Sequence, residues 1–397
     1  MGLFGVRKIV VASALVISLW MATDSQAKDG KIVKVEAVDY KEKIIYHSPE
    51  TPGYTSWVGL WDLTDGRIQC DFRQITGPKD KPVSSVPLLE SKDQGQTWRV
   101  VPRDVSGQGT GGGGIYQMGQ ESGRGMEVLD KGKTLVRAVW PAADLIESGY
   151  TLQSTDGGKT WGDQVYPLPK DTWRVWPTLI RKLRDGRLVL LAGCWRRGEM
   201  TKGSAGPRIL RKMMFVSADK GRTWDKPIEL LTPEEGVCEE SDFAELPNGD
   251  LFWVHRSELY PDQMTELPPG AARSGSKPPE SNWYSVRNQS IVRKKGGTFV
   301  PEKPTPAPFP HSGYPLVLGV SDNVILHLAT DGVYWTADVG QTWQRLNLPG
   351  TSYYPKGLLL SDAKIIVIGH VGSDDVYGTV DQSIRQQTFQ LKVTRAP

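Results

Sequence analysis

Cysteine is scarce in this chain, which has only Cys70, Cys194 and Cys238 among its 397 residues. An odd number of cysteines allows at most one disulfide and leaves at least one free thiol. The five histidines are scattered and there is no Cys-x-x-Cys pair, so the sequence predicts no zinc site. The glycine run Gly107–Gly114 lacks the Gly-Lys-Ser/Thr ending of a phosphate-binding loop. We therefore expect no cofactor.

The chain also lacks a dominant charge. Its 48 Lys and Arg residues nearly balance 45 Asp and Glu residues, which gives a formal net charge of +3. The two signs are interspersed, so there is no electrostatic footprint for nucleic acid or for a membrane surface. Function is therefore to be sought in a local site.

The segment expected to direct export is the apolar run Ile9–Leu19. It follows Arg7 and Lys8 and precedes the small-residue site at 25–27. This order of parts is typical of a secretory signal peptide, and the run is too short to span a bilayer comfortably. We expect residues 1–27 to be removed and 28–397 to form one exported domain, periplasmic or extracellular, without stable membrane insertion.

A pattern of Ser or Thr, x, Asp, x, Gly, x, Thr, Trp occurs four times, at Ser91–Trp98, Ser154–Trp161, Ser217–Trp224 and Thr336–Trp343. The first three copies start 63 residues apart, and the degenerate copy Val292–Phe299 lies within the longer last interval. In such a turn the Asp and Ser can bind backbone N–H groups and Gly can adopt a positive φ. A repeat of this kind indicates one supersecondary unit used several times.

A second repeat gives the number of units. Short turns between apolar runs begin at Asp65, Lys131, Asp185, Asn248, Asp322 and Asp362. Asp-Gly and Asn-Gly pairs are strong hairpin signals, so we expect six hairpins. The sequence predicts an all-β, six-bladed β-propeller with four-stranded antiparallel blades. The segment Lys31–Tyr46 is expected to pair with Gln387–Thr394 and close the ring.

Equivalent hairpins place equivalent positions at one mouth of the central channel. Eight residues before the turns stand Trp57, Gly123, Pro177, Glu240, Tyr314 and Tyr354. Antiparallel pairing about Asn248 and Gly249 predicts Ser257 opposite Glu240 and Arg256 opposite Ser241. The same counting brings to the mouth Arg73, Arg196 near Arg174, and His370 near Tyr354. Several arginines beside one carboxylate and two tyrosines suit an anionic ligand, because guanidinium groups bind carboxylate or sulfate bidentately.

With these repeats, the chain resembles the sialidase (neuraminidase) superfamily of six-bladed propellers, whose hallmark is the repeated Asp box. Cys238–Glu258 is similar to the family's blade-four stretch, and Ser352–Ile365 to the blade-six stretch that opens with a nucleophilic tyrosine. The resemblance implies that Tyr354 is the nucleophile, that Glu240 takes its proton and that Arg256 binds the substrate carboxylate. It also implies an acid/base role for Asp80, eleven residues before the first box.

The chain departs from this family at two arginines. The blade-one arginine position is occupied by Ser56, and the blade-five stretch offers His311 and Tyr314 instead. Two of the three guanidiniums that clamp a sialic acid carboxylate are therefore absent. Arg73, Arg124 or Arg174 would have to reach in from another blade to replace them.

Three functions remain open from the sequence. The first is an exported sialidase-like glycoside hydrolase that acts on a sialic, uronic or sulfated sugar of a glycan or glycoconjugate. The second is a carbohydrate-binding propeller without catalysis. The third is a polysaccharide lyase, or a hydrolase of uronic or sulfated sugars, on the same fold.

Overall fold

A computed structural model describes sixteen segments of the chain. They are residues 31–49, 53–78, 80–81, 83–102, 125–139, 147–199, 210–236, 238, 240–259, 272–274, 283–308, 314–321, 323–329, 331–360, 362–371 and 383–396. The predicted signal peptide, Arg124 and His311 lie outside these residues.

The described residues form a six-bladed β-propeller of antiparallel sheets. Their helical structure consists of the short 3-10 turns Asp130–Gly132 and Pro233–Glu235. No helix among them has the length and apolar character needed to cross a bilayer. The predicted fold class is confirmed.

The chain begins with strand β1, Ile32–His47, and then builds blades one to three in order. Blade one consists of β2 (Gly53–Asp62), β3 (Ile68–Thr76), the short extra strand β4 (Val83–Ser85), β5 (Leu88–Ser91) and β6 (Arg99–Val101). Blade two consists of β7 (Met126–Leu129), β8 (Thr134–Val139) and β9 (Tyr150–Ser154), with a bridge from Thr151 to Val165 at the fourth position. Blade three consists of β10 (Trp173–Lys182), β11 (Leu188–Arg196), β12 (Arg211–Ser217) and β13 (Ile228–Leu231).

Blades four to six complete the disc. Blade four consists of β14 (Ser241–Glu245), β15 (Leu251–Leu259), β16 (Ala272–Ser274), β17 (Trp283–Lys295), β18 (Thr298–Pro301) and β19 (Thr305–Pro306), the last two and β16 all pairing with β17. Blade five consists of β20 (Leu316–Ser321), β21 (Val324–Ala329), β22 (Gly332–Thr336) and β23 (Gln344–Arg345). Blade six consists of β24 (Tyr353–Leu359), β25 (Ile365–Val371), β26 (Ser383–Arg395) and β1.

Strand β1 closes the ring by pairing antiparallel with β26, from Ile32 opposite Arg395 to His47 opposite Ser383. This confirms the predicted closure by the two ends of the described chain. The first strands of successive blades contact one another around the whole circle. The beginnings of these innermost strands therefore surround one mouth, and the hairpin turns lie at the opposite face.

The hairpin register differs by one residue from the prediction. The Leu246 N–H donates to the Asp250 carbonyl at 2.8 Å and Gly249, with φ of 85°, donates back to the Leu246 carbonyl at 2.9 Å. The loop thus has three residues, a turn followed by a left-handed glycine, whereas the prediction assumed a two-residue turn. Arg256 consequently lies opposite Glu240, and the Arg256 N–H donates to the Glu240 carbonyl at 2.9 Å. The predicted pairings of Ser257 with Glu240 and of Arg256 with Ser241 are therefore wrong.

The repeated turns share one set of hydrogen bonds. In the second copy, the Ser154 hydroxyl accepts from Gly158 at 2.8 Å and the Asp156 carboxylate accepts from Thr160 at 2.9 Å. The other three copies have the same bonds at 2.8–2.9 Å. The aspartates of these copies therefore stabilise the turn between the third and fourth strands of their blades.

Apolar side chains fill the seams between blades. The largest clusters join blades five and six, three and four, and two and three. The seam between blades one and two has a much smaller cluster, formed by Trp61, Leu63, Val128 and Leu135. Packing between blades thus fixes the disc, but unevenly.

Candidate active site

The innermost strands of blades four and six bring Glu240 and Tyr354 together at the mouth. Glu240 immediately precedes β14 and Tyr354 is the second residue of β24. The Tyr354 hydroxyl donates a hydrogen bond to Glu240 Oε1 at 3.1 Å. A phenol and a carboxylate at this distance can exchange a proton directly.

Tyr354 occupies an unusual backbone conformation. Its φ is 48°, and the pairing of β24 with β25 is interrupted by a bulge between Tyr353 and Lys356. A non-glycine residue in the left-handed region costs on the order of 1–3 kcal/mol and persists only where the surroundings enforce it. Bulges commonly redirect a side chain at functional sites. The strand thus carries local strain at the residue that faces Glu240.

Arg256 lies between two carboxylates. Its guanidinium contacts Glu240 Oε2 at 2.9 Å and Glu258 Oε1 at 3.0 Å, and the residue is only 8% exposed. Arg256 and Glu258 are two residues apart on β15, so they project from the same face of the strand. This arrangement orients the Glu240 carboxylate, leaving its other oxygen in contact with the phenol.

A second guanidinium lies beside the first. Arg287 on β17 pairs directly opposite Arg256 and is 2% exposed. Burial lowers the pKa of Arg287 to about 10, although the charges of Glu240 and Tyr354 favour its protonated form. At neutral pH, blade four therefore places two positive charges near the Tyr354–Glu240 pair.

His370 and Tyr314 border this pair as largely buried aromatic groups. The His370 ring stacks on Tyr354 with centroids 6.3 Å apart, and burial lowers its pKa to about 4, so it is neutral at pH 7. The Tyr314 hydroxyl donates to the Thr178 carbonyl at 3.2 Å, and the Lys356 ammonium lies 3.9 Å from its ring centroid. Burial raises the pKa of Tyr314 well above its usual value.

Asp242 fixes the strand that follows Glu240. This carboxylate is fully buried, contacts Arg181 of blade three at 2.7 Å and accepts the Val317 N–H of blade five at 2.9 Å. It therefore ties the innermost strands of three blades together just below the mouth.

The other predicted site residues lie around the rim. Arg73 on β3 lies opposite Ser56, the residue that occupies the position of the missing blade-one arginine. Arg174 is buried and donates to the Lys170 and Trp173 carbonyls, whereas Arg196 is exposed with its guanidinium 5.1 Å from the Trp173 ring centroid. Asp80 is exposed in the turn after β3. Their proposed roles remain predictions.

Glu258 and Arg287 were missed by the sequence reasoning. The spacing of Arg256 and Glu258 along one strand could have revealed Glu258, because side chains two residues apart lie on the same face of a strand. Arg287 had no such signal, since β15 and β17 are separated by a long connection whose length hides their register.

No known family model matches this chain, and no curated protein matches it in sequence. Solved structures do resemble it. A protein of unknown function from Dyadobacter fermentans has 18% identity and a TM-score of 0.61, covering 91% of this chain and 99% of its own.

Two enzymes show the same fold. The GH93 α-L-arabinofuranosidase of Fusarium graminearum, solved with arabinobiose, has 16% identity and a TM-score of 0.57, covering 90% of this chain and 98% of its own. The intramolecular trans-sialidase from Ruminococcus gnavus, solved with oseltamivir carboxylate, has 12% identity and a TM-score of 0.52. The match covers 87% of this chain and 96% of the trans-sialidase chain. At these identities the likeness shows that the chain has the propeller fold found among sialidases and this arabinofuranosidase.

Proposed function

We propose that this protein is an exported glycoside hydrolase in which Tyr354 is the nucleophile and Glu240 is its base. The observation that carries the proposal is the 3.1 Å hydrogen bond from the Tyr354 hydroxyl to Glu240. A neutral phenol, with an ordinary pKa of about 10, needs such a partner to attack at neutral pH. Tyrosine nucleophiles are a recognised exception to the two-carboxylate scheme of glycosidases.

The reaction proceeds in two displacements. Tyr354 bonds to the anomeric carbon as its proton passes to Glu240, and the glycosidic oxygen leaves with a proton from an acid. Asp80 is our candidate acid, because its loop follows the end of β3, at the face where the innermost strands begin. Water then attacks the anomeric carbon and gives one proton to the acid residue. The bond from that carbon to the Tyr354 oxygen breaks, the free sugar is released, and Glu240 returns its proton to the phenol.

An anionic sugar is the first candidate substrate. Arg256 contacts the Glu240 carboxylate at 2.9 Å, and Arg287 lies directly opposite Arg256 on β17, so blade four offers two guanidiniums on this side of the mouth. Arg73 stands opposite the position of the missing blade-one arginine and could supply a third contact. Guanidinium groups bind carboxylate and sulfate through paired hydrogen bonds.

A neutral sugar is the second candidate, and one observation favours it. Two nitrogens of Arg256 are already engaged by Glu240 and Glu258. A substrate carboxylate would have to compete with these two carboxylates for one guanidinium. The arabinofuranosidase that shares this fold was solved with arabinobiose, a neutral saccharide.

Hydrolysis of a glycoside panel tests the proposal. The chain 28–397 is assayed with fluorogenic sialoside, glucuronide, sulfated and α-L-arabinofuranoside substrates. Tyr354→Phe and Glu240→Gln should each lose activity by about 10²–10⁴-fold. Tyr334→Phe is the matched control, because the Tyr334 hydroxyl donates to the Asp331 carboxylate on the surface of blade five at 2.6 Å.

Two results would contradict the hydrolase assignment. Glycan binding without any turnover would indicate a carbohydrate-binding propeller, and an unsaturated product absorbing in the ultraviolet would indicate a lyase. Export is tested separately, by expressing the whole chain with its signal segment and sequencing the N-terminus of the secreted protein. The expected first residue is Lys28.

A further inference from the structure

A groove opens between blades one and two, away from the Tyr354–Glu240 pair. Its volume is about 540 Å³. Strands β3, β5 and β6 form one wall, and β7 and β8 form the other. The hairpin around Leu63 and Arg67 and the turn Gly157–Lys159 border it at the face opposite the mouth.

Beside this groove, the repeated turn of blade two packs differently from the other three copies. Elsewhere the indole N–H of the turn donates to the preceding blade, from Trp98 to Gln386, from Trp224 to Thr151 and from Trp343 to Gln289, at 2.6–2.9 Å. Trp161 of blade two instead lies under Arg137 of its own blade, 4.0 Å from guanidinium carbon to ring centroid.

The turn glycines show the same difference. A Cβ placed on Gly95, Gly221 or Gly340 would lie 2.7 Å from a side chain of the preceding blade. A Cβ on Gly158 would first meet Leu135, which belongs to its own blade, at 3.0 Å. Blade two is therefore not closed onto blade one in the way that the other box-bearing blades are closed onto their neighbours.

The walls of the groove carry an excess of positive charge. Five lining residues are cationic, namely Arg67, Lys92, Arg99, Arg137 and Lys159, against the acids Asp71 and Glu90. Arg67 is already engaged by Asp65 at 2.7 Å and by Glu90 at 3.2 Å, and Arg99 is engaged by Glu90 at 2.8 Å. The excess of positive charge therefore comes from Lys92, Arg137 and Lys159. Lys92 and Lys159 are exposed at the rim, and no acidic side chain of the described residues pairs with them.

We propose that this groove is a second binding site, for an anionic saccharide that carries carboxylate or sulfate groups. The cations suit the charged substituents, and apolar side chains such as Val101 and Met126 line the same groove beside them. The volume lies within the range of about 300–1,000 Å³ that is typical of small-ligand sites. The site is independent of the proposed hydrolase chemistry.

Calorimetric titration tests this proposal with a chondroitin sulfate hexasaccharide as the probe. The double variant Lys92→Glu/Lys159→Glu should weaken binding by about tenfold or more, which corresponds to about 1.4 kcal/mol. Lys226→Glu/Lys303→Glu is the matched control, since both of these lysines are also exposed and lie outside the groove. If Tyr354→Phe or Glu240→Gln abolished binding of the hexasaccharide, the saccharide would be bound at the active site, and the proposal of a second site would be overturned.

Other titrations decide whether the ligand class is right. Maltohexaose should bind far more weakly than the sulfated probe, and inorganic sulfate should compete with it only at high concentration. The proposal is overturned by no binding of the hexasaccharide, by equal binding of maltohexaose, or by tighter binding of a single-stranded DNA oligonucleotide. Equal weakening in both lysine double variants would also overturn it, because it would show a general charge effect.

Discussion

The Tyr354 hydroxyl donates a 3.1 Å hydrogen bond to Glu240, although the two residues are 114 positions apart in the sequence. Two different blades supply the partners, and Arg256 holds the other oxygen of the same carboxylate at 2.9 Å. Both oxygens of the Glu240 carboxylate are thus in contact with side chains, which fixes the geometry of the pair.

The two members of this pair should act as one catalytic unit. We expect Tyr354→Phe and Glu240→Gln each to lower kcat by about 10²–10⁴-fold, and the double variant to be no slower than the worse single variant. The measurement is a double-mutant cycle on whichever glycoside is turned over. Strictly additive losses would show that the two residues act in separate steps.

Asp242 should be important for stability rather than for chemistry. Its carboxylate is fully buried and contacts Arg181 at 2.7 Å. The substitution Asp242→Asn removes the negative charge that compensates the Arg181 guanidinium. We expect a loss of about 3–5 kcal/mol in the free energy of unfolding. Denaturant titration measures it.

Asp185 is the matched control at the surface, where it contacts Arg187 at 2.8 Å and Lys294 at 3.0 Å and is 34% exposed. We expect Asp185→Asn to cost about 0–1 kcal/mol, as is usual for exposed ion pairs. Similar losses for the two aspartates would contradict a special role for the buried bridge.

Acid should destabilise the protein through His370. Burial lowers its pKa to about 4, whereas the unfolded chain has the ordinary value near 6.5. Between these two pKa values the unfolded state binds more protons than the folded state. The stability that His370 contributes is therefore fully present above pH 6.5 and is lost as the pH falls toward 4. The free energy of unfolding, measured by urea titration from pH 7 to pH 4.5, should therefore decline.

The variant His370→Phe isolates this contribution, because it keeps a ring against Tyr354 and removes the titrating group. Its decline between pH 7 and pH 4.5 should be shallower than that of the wild type by roughly 1–3 kcal/mol. Parallel curves would mean that other groups cause the loss.

The three cysteines should be free but unreactive in the folded protein. Cys70, Cys194 and Cys238 are buried thiols. Burial raises the pKa of Cys70 and of Cys194, and the thiolate is the reactive form. A thiol reagent should modify none of them in native protein and all three in denaturant, and only one modified thiol after unfolding would reveal a disulfide.

Local sequence was sufficient for the architecture. The repeated turn and the six hairpin signals predicted the number of blades, because each depends on residues within one supersecondary unit. The closing strand was predicted from the strand that the sixth blade lacked. The error of one residue in the Glu240–Arg256 register came from a single loop. An Asn-Gly pair can be the centre of a two-residue turn or the end of a three-residue one, and the letters do not distinguish them.

The sequence by itself determined a ring of six repeated sheets, since periodic turn chemistry and alternating strands are local properties. Only the tertiary structure decided that Glu258 and Arg287 join the site and that blade two stands away from blade one. These relationships depend on how strands from distant segments pack, and side-chain packing between blades leaves no periodic trace in the chain. For the Tyr354–Glu240 contact, counting back from the hairpin turns selected the two residues. The closed ring of blades then brings them together.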